Sequence, residues 1–139
     1  MAITISHDAE ETIALGAAFA RGLTPGTVLL LAGDLGVGKT HLAKGIVEGL
    51  GYEGVVTSPT FPIIHEYATP QGPVIHADLY RIDSESELLR LGLDQLLADA
   101  HVALVEWAQK FPDFFPRSSL TITIEAPDAG TRLIQFPQA

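Results

Sequence analysis

The sequence predicts an α/β protein built on a mixed sheet with a parallel core and antiparallel hairpins, with helices on both faces. Three observations carry that expectation. The runs Val28-Leu29-Leu30-Leu31-Ala32 and Val102-Ala103-Leu104-Val105 are apolar at consecutive positions, as in strands buried on both faces. Stretches with helix start and stop signals separate such runs in the first two thirds of the chain. Later, strand-like segments flank the turn residues 69–72 and 127–130, the pattern of hairpins.

Taken in order, Ile3 and Ile5 alternate with Thr4 and Ser6, a short strand. Asp8 followed by Glu11 reads as a capping box for a helix through residue 20, closed near Gly22. Thr24-Pro25-Gly26 is a turn, and residues 28–32 form the first buried strand. A glycine-rich loop follows, then a helix over residues 39–50 that stops at Gly51. Pro59 and Pro62 lack amide donors, so residues 57–62 are expected to be irregular. Residues 63–67 and 74–78 are strands, and Ser84 with Glu87 caps a single helical stretch through residue 97. Residues 102–106 are a second buried strand; residues 120–125 and 132–136 make the closing hairpin.

The 139 residues suit one domain, residues 1–139, around one core. At 47% hydrophobic and 18% charged the chain should fold. A net charge of −9 opposes non-specific binding to nucleic acid, which depends on neutralising phosphates. The absence of cysteine excludes disulfides and thiolate-ligated metals. The N-terminus has no basic-then-apolar segment, and no apolar run approaches the ~18 residues that span a bilayer. The expectation is a soluble cytoplasmic protein. His7, His41, His65, His76 and His101 show no paired metal spacing and are expected to be structural or solvated. His76, two residues from Asp78, is the best exception.

Residues 33–40, GDLGVGKT, fit G-x4-G-K-[ST] without a mismatch. The chemistry requires these residue types. Successive backbone N–H groups must curl inward onto phosphate oxygens, and Gly33, Gly36 and Gly38 permit the angles and the close approach. The following helix adds its positive end. Lys39 reaches the β- and γ-phosphates as a point charge, and the Thr40 hydroxyl ligates Mg2+. A buried strand before the loop and a helix after it supply the context the motif needs, so the expectation is a P-loop NTPase fold that binds ATP or ADP with Mg2+.

Such a site also needs a carboxylate near the metal and a group that orients the nucleophile. Asp78 and Glu106 each end a strand, and in an open α/β sheet the carboxyl ends of parallel strands border the ligand crevice. Lys39, Asp78 and Glu106 are therefore the expected catalytic set, with spacing leaving open which acid holds the metal. Trp107, the only tryptophan, is either a core or rim aromatic or a ring that covers the site or meets a partner.

These motifs occur in an order that closely resembles the TsaE family: the phosphate loop, Ser58-Pro59-Thr60-Phe61, His76-Ala77-Asp78-Leu79-Tyr80-Arg81, then Val105-Glu106-Trp107. The resemblance spans nearly the whole chain. It implies that residues 36–41, including Val37 and His41, wrap the phosphates. Thr40 and Glu106 would sit on or next to Mg2+, with Asp78 in the outer shell. Residues 58–61 would form a switch-like segment with Thr60 near the γ-phosphate. Thr12 would lie near the base or ribose and Arg132 would flank the base. The family's ATPase works with TsaD and TsaB, which place a threonylcarbamoyl group on N6 of the adenosine next to the anticodon in tRNAs reading ANN codons. The acidic charge fits a subunit that meets proteins and reaches tRNA only through them. His41 and Ala108 depart from the family pattern, where a hydroxyl residue and a proline are frequent; neither is among the expected catalytic residues Lys39, Asp78 and Glu106.

The competing readings are a small-molecule or nucleotide kinase and a nucleotide-binding regulatory module without turnover. A kinase needs an acceptor pocket and arginines in a lid. After the loop the candidate cations are Arg81, Arg90, Lys110, Arg117 and Arg132, with no insertion long enough for a substrate domain. Two strand-end carboxylates argue against the regulatory module.

Overall fold

The computed structural model describes residues 2–34, 37–56 and 63–137. In chain order its elements are β1 (Ala2–Ser6), α1 (Ala9–Ala20), β2 (Thr27–Ala32), α2 (Lys39–Gly49), β3 (Ile64–Thr69), β4 (Gly72–Asp78), α3 (Glu85–Arg90), α4 (Leu93–Asp99), β5 (Val102–Glu106), β6 (Leu120–Asp128) and β7 (Thr131–Phe136). The strands form one seven-stranded sheet in the order β1-β7-β6-β2-β5-β4-β3. β6, β2, β5 and β4 run parallel. β7 is antiparallel to β6 and β1, and β3 to β4. The parallel core and both hairpins are therefore as the sequence predicts.

Side chains alternate across a strand, and here the alternation sorts the core into two layers. Leu29, Leu31, Val102, Leu104, Ile122 and Ile124 pack with Leu42, Ala43, Ile46 and Val47 of α2. Val28, Ile75, Ala77, Ala103 and Val105 pack on the opposite face with Leu88, Leu93, Phe111 and Phe115. The consecutive apolar positions of β2 and β5 follow from burial on both faces.

α1 rests on α2 at near backbone contact. A Cβ on Gly45 would lie 2.1 Å from the Ile13 carbonyl oxygen, and one on Gly49 would lie 2.6 Å from that of Ala17. Only glycine admits this approach, which fixes the start of α1 beside the start of α2.

Three local expectations need correction. The helical stretch from Ser84 is two helices, because Gly92 takes a left-handed φ of 75° that ends α3 and redirects the chain into α4. The Asp8 carboxylate accepts from Glu11 N at 2.8 Å, as a cap should, but Glu11 does not reach back to Asp8. Its carboxylate instead accepts from His7 N at 3.2 Å and lies 2.9 Å from His7 Nδ1. β6 continues past Pro127, which sits where the ladder shifts register between Glu125 and Asp128, a place that tolerates a missing donor. The irregular segment expected at 57–62 lies outside the described residues. Among the described residues no helix is long and apolar enough to cross a membrane.

Candidate active site

β2 ends at Ala32, and α2 begins at Lys39 with Gly38 as its N-cap at φ 104°. That left-handed value requires glycine in practice, because a Cβ would clash with its own backbone. Gly33 has a second reason: a Cβ there would lie 2.6 Å from the Ile124 carbonyl oxygen of β6. The loop glycines thus serve packing as well as any close approach of phosphate. Gly36 and Thr60 lie outside the described residues.

Register brings the acids together. Asp78 pairs with Glu106 across β4 and β5, and Glu106 pairs with Leu31 of β2. Counting back by two, Asp78 and His76 share a face with Val74, and Glu106 shares one with Leu104, so all three polar side chains belong to the α2 side of the sheet. Lys39, at the first turn of α2, faces the same space. Glu106 is 4% exposed, Lys39 5% and His76 0%.

Lys39 Nζ donates to the Gly33 carbonyl at 2.8 Å, lies 3.9 Å from Glu106 Oε1 and sits 4.5 Å from the Trp107 ring centroid. Glu106 Oε2 is 2.7 Å from His76 Nε2. An ionised carboxylate only accepts, so the His76 proton in that bond sits on Nε2. His76 Nδ1 is buried with no hydrogen-bond partner among the described residues. His76 is therefore an anchor for Glu106, and Glu106 is a buried group rather than a surface carboxylate.

Asp78 is half-buried, with Oδ1 accepting from Tyr80 N at 3.0 Å. Its carboxyl is held above the usual range, first by desolvation and then by the charge of Glu106; the Tyr80 amide, Lys39 and His76 pull the other way. Trp107 is the one non-glycine residue with positive φ among the described residues, at 64°. Its ring packs against the core layer of Val105 and Ala108, lies over Lys39 and is 5.0 Å from the Tyr80 ring, so it is a rim aromatic that also borders the lysine.

Thr40 is the second residue of α2, and its hydroxyl and the Glu106 and Asp78 carboxylates are oxygen donors of the type Mg2+ takes. Among the described residues no group of three or more His, Asp or Glu is placed to hold a metal ion by itself. A divalent charge here would relieve the Glu106–Asp78 repulsion.

On the other flank, Arg132 Nε donates to the Val37 carbonyl at 2.7 Å and Nη1 to the Thr131 and Asp128 carbonyls at 2.9 and 3.2 Å. Thr12 is buried, its hydroxyl sharing a 2.7 Å hydrogen bond with that of Ser6. Thr12, His41 and Arg132, together with His7 and Gly38, line a cleft of about 110 Å³. The fold thus gathers three residues that only the family resemblance had linked. His76 was legible in part, since a residue two before a strand-end acid shares its face; nothing local signalled that its partner would be Glu106.

A family model described as "Threonylcarbamoyl adenosine biosynthesis protein TsaE" matches residues 6–134. The tRNA threonylcarbamoyladenosine biosynthesis protein TsaE of Bacillus subtilis (strain 168) is 45% identical over 134 residues, covering 96% of this chain and 82% of that protein. Its counterpart from Rickettsia bellii is 36% identical over 131 residues, covering 94% and 90%. The crystal structure of Bacillus subtilis YdiB superposes with a TM-score of 0.81 at 37% identity, over 97% of this chain and 83% of that one. With the strand–loop–helix arrangement above, that likeness makes this a P-loop fold.

Proposed function

The chain belongs to the TsaE family of threonylcarbamoyl adenosine biosynthesis proteins, and on that premise we propose that it is a Mg2+-dependent ATPase acting on the TsaB–TsaD pair. Its hydrolysis would serve formation of threonylcarbamoyladenosine next to the anticodon of tRNAs reading ANN codons, in the cytoplasm. The observation that carries the reading is the convergence of buried Lys39, Glu106 and His76, with half-buried Asp78 paired beside Glu106, at the mouth of the β2–α2 loop.

Lys39 is held by one carbonyl, one carboxylate and one aromatic face. Phosphate oxygens offer the ammonium stronger partners, so nucleotide draws Lys39 off Gly33. The loop amides and the start of α2 bind the phosphates. His76 holds Glu106 Oε2, which leaves Oε1 directed to the phosphate end. Thr40 and Glu106, with Asp78 beyond, would hold Mg2+, which would supply charge neutralisation at the transferred phosphoryl group. Asp78 and Glu106 accept hydrogen bonds from water there and orient the nucleophile. Arg132 engages its Nε and Nη1 with backbone carbonyls, so it holds the loop rather than acting as an arginine finger. An arginine added by a partner typically accelerates hydrolysis ~10³–10⁵-fold, which makes slow turnover by the isolated chain the expected behaviour. The net charge of −9 leaves tRNA contact to the partners.

The test measures phosphate release from Mg-ATP, and modified adenosine in tRNA, with TsaB and TsaD present and with or without this chain. Release should rise with the partners, and multiple rounds of modification should require the chain; Lys39→Ala and Thr40→Ala should fail both. Equal multiple-turnover modification without the chain overturns the reading. A phosphorylated small acceptor in place of inorganic phosphate would establish the kinase alternative.

A further inference from the structure

The two acid-bearing strand ends are joined by a residue that the chemistry above does not use. Lys110 lies in a 3₁₀ turn, Ala108–Lys110, four positions after Glu106. Its Nζ donates to the carbonyls of Leu79 at 3.3 Å, Tyr80 at 2.7 Å and Ile82 at 2.5 Å. An ammonium has three donors, and here each meets a carbonyl of the loop that begins at Asp78.

We propose that Lys110 is a positioning residue that clamps the loop after Asp78 to the turn after Glu106, and so holds both carboxylates in register for the ATPase reaction. The inference rests on the ATPase reading given above. The clamp completes a ring of contacts between the two segments. Leu79 N donates to the Glu106 carbonyl at 3.0 Å, and Lys110 N donates to that of Trp107 at 3.3 Å. The Tyr80 amide holds Asp78, and the Tyr80 ring stacks obliquely on Trp107. Within this ring Trp107 keeps its left-handed backbone, a conformation that a bulky residue holds only where its surroundings over-determine it. That conformation in turn sets the ring over Lys39.

The partners of Lys110 explain its form. Among the described residues it makes no salt bridge, so the contact fixes geometry rather than balancing charge. A compact ammonium on a flexible stem meets three converging carbonyls, whereas a planar guanidinium matches them only in part. Lys110 is an exposed residue outside both core layers, so its replacement leaves the core intact.

The experiment compares Lys110→Met, which keeps the stem and removes the donors, with Lys110→Arg, which restores some of them. For Lys110→Met, kcat with Mg-ATP should fall ~10–100-fold, the cost of a small misplacement of reacting groups, while KM and ADP affinity stay close to the parent's. Lys110→Arg should recover part of that loss. Trp107 emission should change, and the Leu79 and Tyr80 amides should exchange faster, in Lys110→Met. A parent-like kcat in Lys110→Met overturns the proposal, as does a loss that merely tracks the folded fraction. If the parent itself proves not to hydrolyse ATP, the ATPase reading falls by that result. Exchange at Leu79 and Tyr80 then decides the clamp: parent-like protection in Lys110→Met refutes it, and lost protection supports it.

Discussion

Towards β5 and β4, the phosphate loop meets a cluster of ionisable side chains: Lys39, 3.9 Å from Glu106, whose other oxygen meets His76 at 2.7 Å, and, at the rim, Asp78. Towards α1 and the β6–β7 hairpin it meets Thr12 and Arg132, whose polar atoms are bonded to a neighbouring hydroxyl and to backbone carbonyls. On the first flank two carboxylates lie side by side, the Asp78 pKa raised first by burial and also by the charge of Glu106, and the lysine lies on a neutral carbonyl. On the second flank the Thr12 hydroxyl meets that of Ser6 and Arg132 meets backbone carbonyls. The difference is one of partners: ionisable side chains meet on one flank, while on the other the polar side chains bond to a hydroxyl and to the backbone.

The largest expected effect sharpens that division. Glu106→Gln should lower kcat ~10²–10³-fold, as loss of a preorganised electrostatic contact does, with ADP affinity changed far less. Arg132→Met should do the reverse. It frees the Val37 carbonyl, weakens nucleotide affinity by about tenfold and leaves kcat at saturation near the parent's. Single-turnover kinetics with calorimetric titration would measure both; equal losses of kcat in the two variants would erase the distinction between the flanks.

A smaller effect is expected at Thr12. Removing its hydroxyl strips Ser6 of one buried partner and should cost about 1 kcal/mol of stability, read in urea unfolding without nucleotide. Should Thr12→Ala instead bind nucleotide poorly at unchanged stability, Thr12 is a ligand contact.

The smallest effect concerns pH. Asp78 has its folded-state pKa above its unfolded one, so the protonated form is the one the fold favours. Its contribution to stability is fully present below the ordinary carboxylate range and is lost as pH rises through the raised pKa. Asp78→Asn cannot ionise. The nucleotide-free variant should therefore melt slightly higher than the parent at neutral pH, with the gap closing as pH falls. A gap of constant size across a pH series of thermal melts would show that the Asp78 charge is not strained by its surroundings.

Local chemistry and periodicity determined much of this protein. The G-x4-G-K-[ST] loop, the caps at Asp8 and Ser84, the doubly buried runs of β2 and β5 and the acids closing β4 and β5 can all be read from neighbours in the chain. Each depends on interactions spanning a few residues, where residue type and spacing suffice. Other features depended on which elements become neighbours. His76 meets Glu106 across 30 residues because β4 pairs with β5 in that register, and Arg132 meets Val37 across 95 because β6 lies beside β2 with β7 next to it. Gly45 and Gly49 have no local reason to be glycine within α2; the backbone of α1 resting on them supplies it. Gly92 looked like an interior helical residue until packing of Leu88 and Leu93 into one core required a break between them. Periodicity tells a side chain which face of its strand or helix it occupies. Only the tertiary structure supplies what lies opposite, because strand order and helix packing are settled by the burial of the whole apolar surface at once.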